Sequence, residues 1–486
     1  MKECTLEIND EVNVKIKGLE LVDRKELVNR YKFEIPGARY LPVVRLGRWD
    51  GKVSFFQLSG STYINLLPEI LVYLTDRGYD ISVNDSRSYR TQFEFDHIVE
   101  NTFEHLSWPK GHPIAGQPIV LRDYQVDVVN KFLENPQCIQ EVATGAGKTV
   151  MTAALSYSIS KYGRSIVIVP NKSLVTQTEK DFVNMQLDVG VYFGDRKEIG
   201  RAHTICTWQS LNNLMKNTKN HEAEITIQEF LEDVVCVIVD EVHMAKADAL
   251  KTLLTGPMAH IPIRWGLTGT VPKEKYEFMS LFCSIGQVIG KLSASELQDQ
   301  GVLAQCHVNI RQLVDHAEYS NYQTELKYLL ESDKRLDHIA DMILKIKETG
   351  NTLILIDRVA AGQELVKRLG DRAVFVSGAT KGTKRQEHYD EVAESSDKII
   401  VATYGVAAVG INIPRIFNLI LLEPGKSFVR VIQSIGRGIR KAEDKDFVQI
   451  WDITSTCKFA KRHLTQRKNF YKEANYPFTL EKVEYL

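Results

Sequence analysis

Short apolar runs alternate with longer helical stretches along the chain from residue 110 onward. Such continuous aliphatic and β-branched runs suit strands that are covered by helices on both faces. The pattern therefore predicts an α/β fold with parallel sheets wrapped by helices. The buried strands are predicted at residues 166–169, 234–239, 353–356, 399–402 and 419–422.

Breaks in this pattern predict the domain organisation. Residues 107–119 are rich in proline and glycine, which is typical of a connector, so we place a first boundary near residue 112. A second boundary near residue 290 is less distinct, because the segment that follows is mostly helical and polar. The predicted domains are an N-terminal accessory domain (1–112), two α/β lobes (113–290 and 291–455) and a basic C-terminal extension (456–486).

Composition is that of a soluble intracellular protein, because 44% of the 486 residues are apolar and 25% are charged. The 61 Lys and Arg balance 62 Asp and Glu, so any basic surface must be local. Seven widely spaced cysteines lack the close pairs of zinc or redox sites and predict reduced, mostly buried thiols. The sequence predicts no signal peptide and no membrane span.

A phosphate-binding loop is predicted at residues 142–149, which read VATGAGKT between an apolar segment and a helical run. In this pattern the glycines let backbone N–H groups surround a phosphate, Lys148 reaches the β and γ phosphates, and the Thr149 hydroxyl binds Mg²⁺. Val142 occupies the position of the first glycine of the strict pattern. An incidental turn is the alternative. The predicted ATP-binding residues of the loop are Thr144, Gly145, Ala146, Gly147, Lys148 and Thr149.

Two carboxylates follow the apolar run at residues 237–239 directly. Nucleotide hydrolysis needs one carboxylate for magnesium and one that orients the attacking water and accepts its proton. Asp240 is predicted to hold the metal and Glu241 to be the general base. Asp240, Glu241 and Thr149 form the predicted metal set, and a loop cap is the alternative for the acidic pair.

With these motifs the chain resembles the superfamily 2 helicases and translocases over about residues 121–455. The resemblance implies two RecA-like lobes with ATP at their interface, Gln125 against the adenine, and His243 as a coupling residue. Segments 169–174 and 207–211 resemble the motifs that contact nucleic-acid phosphates, and Leu267-Thr268-Gly269-Thr270 resembles the coupling motif.

The fifth and sixth helicase motifs are matched in the second lobe. Residues 399–403 with 410–414 resemble the fifth, with Asn412 where aspartate is common, and residues 433–440 match the sixth, beginning with Gln433. Arg437 and Arg440 are three residues apart and would share a face of a helix. They are predicted to act on the γ-phosphate as arginine fingers, and the resemblance implies that Gln433 also has a catalytic role at ATP. A solvated basic helix is the alternative.

Two segments outside the core combine cations with aromatic residues. Residues 458–472 hold six cations and no acid, which suits either a strand-binding surface or a helix packed on the second lobe. Residues 39–52 carry four cations and one acid. Trp49 to Lys52 is predicted to form a hairpin turn that displays Arg48 and Lys52 to DNA, and a structural turn is the alternative.

Taken whole, the chain resembles the recombination helicases of the superfamily. That resemblance implies an ATP-dependent DNA helicase that migrates junctions and unwinds R-loops and forks in recombination, repair and replication. ATP and Mg²⁺ are the implied cofactors. Branched, single-stranded or duplex DNA, RNA–DNA hybrids and other recombination proteins are the implied partners, and no membrane is expected. An RNA helicase, a duplex translocase that does not unwind, and a nucleotide-gated scaffold are the alternatives.

Overall fold

The computed structural model describes residues 2–87, 93–110, 112, 114–244, 247–347, 350–410, 413 and 415–485. The chain divides into two compact units. The first unit comprises Met1–Glu141 with Gly147–Lys291, and the second comprises Val142–Ala146 with Leu292–Leu486.

A four-stranded sheet in the order β5-β2-β1-β6 begins the first unit. Strand β1 runs antiparallel to β2 and parallel to β6. Alternate residues of β1, Cys4, Leu6 and Ile8, are buried, as the two-residue period of a strand requires. The elements are β1 (Lys2–Ile8), β2 (Asn13–Lys17), α1 (Leu21–Arg30), β3 (Lys32–Glu34), α2 (Pro42–Arg45), β4 (Lys52–Ser54), β5 (Ser61–Tyr63), α3 (Leu67–Asp76) and β6 (Tyr79–Asp85).

The predicted hairpin turn at residues 49–52 is wrong. Lys52 already belongs to β4, which pairs with β3 across a long connection, residues 35–51, that contains α2. The Ile35 N–H donates to the Gly51 carbonyl at 2.9 Å and closes the base of this connection. The strands that pair are therefore separated by a loop with its own helical turns, which the local turn signal did not indicate. We call residues 35–51 the basic loop.

An eight-stranded sheet forms the rest of the first unit, in the order β10-β9-β11-β8-β12-β13-β7-β14. The pairs from β9 through β7 are parallel, so the carboxyl ends of these strands lie at one edge. The elements are α4 (Asp123–Leu133), β7 (Gln137–Val142), α5 (Lys148–Ile159), β8 (Arg164–Val169), α6 (Lys172–Asn184), β9 (Val189–Phe193), β10 (Arg196–Lys197), β11 (His203–Thr207), α7 (Trp208–Lys219), α8 (Ile227–Phe230), β12 (Val234–Val239), α9 (Ala247–Thr255), β13 (Ile263–Thr268), α10 (Lys275–Ser284) and β14 (Gln287–Leu292).

The four-stranded sheet packs against helices α9 and α10 of the first unit. Tyr276 and Cys283 of α10 belong to the same buried core as the N-terminal strands. The Asn65 side chain donates to the Phe282 carbonyl at 2.8 Å. The Lys251 ammonium of α9 lies 4.1 Å from the centre of the Phe55 ring. The N-terminal sheet and the helices of the larger sheet therefore share one continuous core.

A seven-stranded sheet forms the second unit, in the order β17-β18-β16-β19-β20-β15-β21. Its pairs are parallel, which confirms the predicted α/β fold with two helicase-type parallel sheets. The elements are α11 (Ala294–Asp299), β15 (Gln305–Leu313), α12 (Tyr322–Glu331), α13 (Asp333–Lys347), β16 (Thr352–Ile356), α14 (Val359–Leu369), β17 (Ala373–Val376), α15 (Gly382–Glu394), β18 (Ile399–Thr403), α16 (Tyr404–Gly410), β19 (Asn418–Leu422), α17 (Phe428–Gly438), β20 (Phe447–Ser455), α18 (Lys458–Glu473) and β21 (Phe478–Val483).

The C-terminal basic segment forms helix α18, which packs on the second unit. Arg467 is buried and its guanidinium donates to both carboxylate oxygens of Asp452, at 2.8 and 2.9 Å. The Tyr471 hydroxyl donates to the same carboxylate at 2.6 Å. Arg467 and Tyr471 are therefore structural residues and cannot belong to the exposed strand-binding surface considered from the sequence. Lys458, Lys461 and Arg462 remain exposed on the helix.

All seven cysteines are buried free thiols, as predicted. Within the described part of the chain, no helix has the length and apolar character needed to cross a membrane.

Candidate active site

The phosphate loop connects β7 to α5, as predicted. Gly147 precedes the helix with φ of +87°, a left-handed conformation that side chains disfavour. A Cβ atom on Gly147 would also lie 2.6 Å from the Gln125 side-chain nitrogen. Gly145 is left-handed too, with φ of +93°. Glycine is thus required at Gly147 both by the turn and by the close approach of Gln125.

Gln125 is buried beside the phosphate loop, in the first turn of α4. Its side-chain oxygen accepts a hydrogen bond from the Arg122 backbone N–H at 2.9 Å. This bond caps α4 and fixes the side chain, with its amide nitrogen toward Gly147. The segment 121–125 is therefore held next to the loop, although the two are separated along the chain.

Lys148 and the acidic pair meet at the carboxyl edge of the eight-stranded sheet. Asp240 and Glu241 follow β12, and Lys148 begins α5 after the loop that leaves β7. The Lys148 ammonium lies 3.0 Å from a carboxylate oxygen of Glu241. Asp240 is 4% exposed and accepts a bond from the Glu241 N–H at 2.8 Å. Three charged groups predicted from separate motifs are thus brought together.

Burial and neighbouring charges shift the pKa values of Asp240 and Glu241 in opposite directions. Burial raises the pKa of Asp240, and the nearby Glu241 charge raises it further. Burial also acts to raise the pKa of Glu241, but attraction to Lys148 and His243 outweighs it and lowers that pKa. Glu241 is therefore the member of the pair that the protein holds ionised.

A hydrogen-bond chain joins Glu241 to the segment after β13. The Gly269 N–H donates to a Glu241 carboxylate oxygen at 3.3 Å, and His243 Nδ1 lies 3.5 Å from the same oxygen. The Thr268 hydroxyl donates to the Thr270 carbonyl at 2.7 Å, so its oxygen accepts the bond that links it to His243 Nδ1. The acidic motif and the Thr268–Thr270 segment are directly connected, so a shift in one can reach the other.

Thr149 has a carboxylate partner that the sequence did not reveal. Its hydroxyl donates to the carboxylate of Asp181, which lies on α6 and is half-buried. Helices α5 and α6 pack against each other, which brings these residues together. No motif marks Asp181, because an aspartate in the middle of a polar helix is the common pattern of a solvated helix face.

The sixth-motif residues lie on and after α17 in the second unit. Gly436 approaches Thr144, a loop residue grouped with this unit, so that a Cβ on Gly436 would be 3.2 Å from the Thr144 Cβ. The backbones of Gln433 and Arg437 lie within α17, and their side chains lie outside the described residues. Ile411, Asn412 and Pro414 of the fifth motif also lie outside the described residues.

The prediction that Arg437 and Arg440 share a helical face is wrong. Helix α17 ends at Gly438, so Arg440 lies beyond it and its backbone forms a bridge with Leu303. The Lys445 ammonium donates to the carbonyls of Gly438 and Arg440, at 2.6 and 2.7 Å, and satisfies the helix end. The helix thus ends where Lys445, seven residues after Gly438, bonds to the last carbonyls and where Arg440 pairs with Leu303 of another segment, and no helix-stop signal in the sequence marks either contact.

Two protein families match the chain. The family described as Type III restriction enzyme, res subunit, matches residues 118–273, which include the phosphate loop and the acidic pair. The family described as Helicase conserved C-terminal domain matches residues 334–442, which include α17. The chain is a superfamily 2 helicase. It is accordingly an ATP-hydrolysing enzyme with the two helicase lobes that the motifs predicted.

Individual relatives agree with this assignment. The chain is 25% identical over 470 residues to the ATP-dependent DNA helicase uvsW of Enterobacteria phage T4, covering 92% of this chain and 89% of that protein. It is 27% identical over 340 residues to the putative DNA 3'-5' helicase Rad25 of Haloarcula marismortui, covering 68% and 52%. The fold matches a fragment of a putative HsdR restriction subunit from Vibrio vulnificus YJ016, with TM-score 0.56, 18% identity and coverage of 75% and 68%. The predicted resemblance to the superfamily 2 DNA helicases is confirmed.

The donor set of this helicase fits magnesium. Among the described residues, no group of three or more His, Cys, Asp and Glu side chains could hold a metal alone. Magnesium commonly uses one or two protein carboxylates and completes its shell with phosphate oxygens and water. The Thr149 hydroxyl and the buried Asp240 carboxylate are oxygen donors of the required kind, whereas Glu241 is already paired with Lys148.

Two helix N-termini lie near each other at the same edge of the helicase sheet. Asn171 caps α6 by accepting from the Leu174 N–H at 3.0 Å, and Thr207 caps α7 by accepting from the Ser210 N–H at 3.3 Å. Helices α6 and α7 follow β8 and β11, which are neighbouring strands. The first turns of such helices present N–H groups and partial positive charge.

Proposed function

We propose that this chain is a DNA motor that couples ATP hydrolysis to the remodelling of branched DNA. It migrates junctions and unwinds forks and R-loops in recombination, repair and replication. The relative from phage T4 is a DNA helicase, which supports DNA as the partner. The observation that carries the specificity for branched substrates is the exposed, cationic basic loop, which connects the paired strands β3 and β4.

Lys148, Thr149, Asp240 and Glu241 perform the hydrolysis. Lys148 turns from Glu241 to the β and γ phosphates, while Thr149 and Asp240 hold Mg²⁺, which neutralises phosphate charge when bound. Glu241, released from Lys148, orients a water molecule and accepts its proton. The bond from the Gly269 N–H keeps this carboxylate in place and transmits its position to the segment after β13.

Arg437 and Arg440 stabilise the charge that develops on the γ-phosphate, and Gln433 assists at the nucleotide. The approach of α17 to Thr144 at Gly436 supports this role. Gln125 contacts the adenine, and its position against Gly147 supports that assignment. The loop backbone from Thr144 to Gly147 surrounds the phosphates.

A phosphate track at the N-termini of α6 and α7 holds one DNA strand without reading its sequence. The capping residues Asn171 and Thr207 orient the first-turn N–H groups of the two helices. Contacts of this kind position a nucleic acid but do not distinguish a junction from a simple duplex. Selection of a branched substrate therefore requires a second surface that touches another arm.

The basic loop is that second surface. Arg39, Arg45 and Arg48 are exposed and form no ion pair with any residue that the structure describes. Asp50, the acid nearest to them in sequence, is paired with Lys32 at 2.5 Å. The loop also exposes Tyr40 and Leu46, which are 60% and 66% accessible. Cations next to exposed apolar side chains suit phosphate binding beside partly unstacked bases at a branch point.

The first test compares nucleic acids as activators. Steady-state ATP hydrolysis is measured with single-stranded DNA, duplex DNA, a four-way DNA junction, an RNA–DNA hybrid and RNA. We expect the junction to give the largest stimulation at equal nucleotide concentration. Stronger stimulation by RNA would indicate an RNA helicase, and equal stimulation by duplex and junction without unwinding would indicate a duplex translocase. No turnover with any activator would indicate a nucleotide-gated scaffold.

The second test removes positive charge from the basic loop and from Lys52, the first residue of β4 directly after it. In the triple variant Arg45→Ala, Arg48→Ala, Lys52→Ala, we expect weaker junction binding and a salt dependence flatter by up to about three units of slope, since each lost phosphate contact removes about 0.9 unit. ATP hydrolysis without DNA should stay unchanged. The control replaces three exposed lysines outside the loop, Lys25, Lys131 and Lys219, with Ala. Equal salt slopes for the two triple variants and the parent would show that the loop does not bind DNA.

A further inference from the structure

The hydroxyl hydrogen of Thr149 is directed to a carboxylate from a different helix. Thr149 is the second residue of α5, and its hydroxyl donates to Asp181 of α6. Thr152, one turn later, instead donates to the Lys148 carbonyl of its own helix at 2.9 Å, as threonines in helices commonly do. The bond at Thr149 is therefore a tertiary interaction at the residue that the proposed mechanism uses to hold magnesium.

The direction of this bond decides which part of the hydroxyl is available to a cation. A threonine hydroxyl has one hydrogen and two lone pairs. When the hydrogen points to Asp181, the lone pairs point elsewhere, and an oxygen can offer them to a metal. If the hydrogen could rotate toward the cation, it would oppose metal binding electrostatically. A fixed acceptor behind the hydroxyl removes that unfavourable orientation.

We propose that Asp181 is a positioning residue for the magnesium site and acts by holding the Thr149 hydroxyl with its lone pairs toward the cation. The proposal rests on the proposed role of Thr149 as a magnesium ligand. The Asp181 carboxylate, when ionised, would also attract the cation. Partners that orient a metal ligand typically change metal affinity by about 10- to 100-fold when they are removed.

A purely structural role for Asp181 predicts a different result. The Thr149–Asp181 bond also ties α5 to α6, so its loss could loosen the phosphate loop as a whole. In that case nucleotide binding would weaken by the same factor with and without magnesium. A positioning role affects only the part of nucleotide binding that depends on magnesium.

The test measures affinity for a fluorescent, non-hydrolysable ATP analogue without DNA, in EDTA and across a Mg²⁺ series. The variants are Asp181→Asn, which keeps the shape and an acceptor oxygen without the charge, and Asp181→Ala, which removes the acceptor. Glu179→Gln is the matched control, because Glu179 is an acid on the same helix that pairs with Arg196 at 2.7 Å and does not contact Thr149. Thr149→Val, alone and combined with Asp181→Ala, completes a double-mutant cycle.

We expect affinity in EDTA to remain within about twofold of the parent, while the Mg²⁺ concentration for half-maximal tightening rises about 10-fold or more in Asp181→Ala and by a smaller factor in Asp181→Asn. The effects of Thr149→Val and Asp181→Ala should be less than additive. An equal loss in EDTA and in Mg²⁺, or an unchanged Mg²⁺ midpoint, would overturn the inference. If the parent itself shows no tightening by Mg²⁺, it is the proposed magnesium site that fails.

Discussion

At the scale of single residues, the site is organised around the buried ion pair of Lys148 and Glu241. A buried charge is costly unless it is paired, and each member of this pair satisfies the other at 3.0 Å. The same pair places the amine that we propose to bind phosphate beside the carboxylate that we propose as the general base. When Lys148 exchanges Glu241 for phosphate oxygens, the ammonium stays paired with a negative charge, and the Glu241 carboxylate keeps its hydrogen bond from the Gly269 N–H.

Replacing Glu241 should slow ATP hydrolysis while leaving ATP binding nearly unchanged. In Glu241→Gln we expect near-normal binding of ATP and Mg²⁺ with hydrolysis slower by about 10²- to 10⁴-fold, because an amide oxygen can accept from Gly269 but cannot take the proton of water. Lys148→Ala should instead lose nucleotide binding or turnover, since it removes the phosphate contact and leaves Glu241 unpaired. Single-turnover hydrolysis and equilibrium nucleotide binding measure the two effects. Exposed Glu222→Gln is the control, and near-normal turnover in Glu241→Gln would exclude the base role.

At the scale of elements, helices α9 and α10 join the N-terminal sheet to the helicase sheet. Helix α9 begins a few residues after the acidic pair, and its Lys251 is surrounded by the rings of Phe55, Tyr63 and Tyr276, at 4.1, 5.4 and 6.0 Å. Burial lowers the pKa of Lys251. Cation–π attraction to these rings offsets part of the cost of burying the ammonium. The interaction thus connects the part of the chain that carries the basic loop with the helix that follows Asp240 and Glu241.

The strength of this connection can be measured with a double-mutant cycle. Lys251→Met keeps most of the aliphatic chain and removes the charge, and Phe55→Leu removes the nearest ring. We expect the two changes to be coupled by about 0.5 to 2 kcal/mol in the free energy of unfolding of the first unit, the range of partly to fully desolvated cation–π pairs. Calorimetric or denaturant unfolding gives the value.

The comparison pair for this cycle is Lys161→Met with Tyr162→Leu. The Lys161 ammonium lies 5.0 Å from the Tyr162 ring but is exposed, so its coupling should be near the low end of that range. Additive effects of Lys251→Met and Phe55→Leu would mean that the ammonium contributes nothing to the junction between the two sheets.

At the scale of the whole molecule, each unit has its own parallel sheet and buried core. Chains with more than one such unit commonly unfold in more than one step, so stability is best assigned unit by unit.

The first unit contains a buried histidine that should make its stability depend on pH. His203 is 1% exposed, and its ring nitrogens lie 2.7 Å from the Ser165 hydroxyl and 3.0 Å from the Ser160 hydroxyl.

Acid should destabilise the first unit through His203. Burial lowers the pKa of this imidazole from 6.5 to about 4, so between these values the unfolded chain binds a proton that the folded chain does not. The contribution of His203 to the free energy of unfolding is fully present above pH 6.5. It is lost as the pH falls toward 4, and the loss amounts to at most about 3 kcal/mol. His203→Gln should flatten this part of the stability profile, whereas exposed His105→Gln should not. Parallel profiles for the parent and His203→Gln would contradict the assignment.

The sequence by itself determined the fold class, the strands and the nucleotide motifs. The apolar runs predicted β8, β12, β16, β18 and β19 because a strand covered on both faces must be apolar along its length. The phosphate loop was equally predictable, because its left-handed glycines, its lysine and the following helix are contiguous in the chain. These signals are local, and neighbouring residues are sufficient to specify them.

Tertiary structure decided which side chains support these motifs. Asp181 contacts Thr149 only because α6 packs on α5. Lys445 bonds to the end of α17 only because the turn after the helix brings its side chain back to the Gly438 carbonyl. For the segment that holds Arg467 the sequence left a strand-binding surface and a packed helix equally open, and the structure buries Arg467 against Asp452 of β20. The pattern at residues 49–52 predicted a tight hairpin turn, but β4 pairs with β3, and residues 35–51 form a long loop between the two strands. Each of these contacts depends on how the elements and the turns between them pack, which no local pattern specifies.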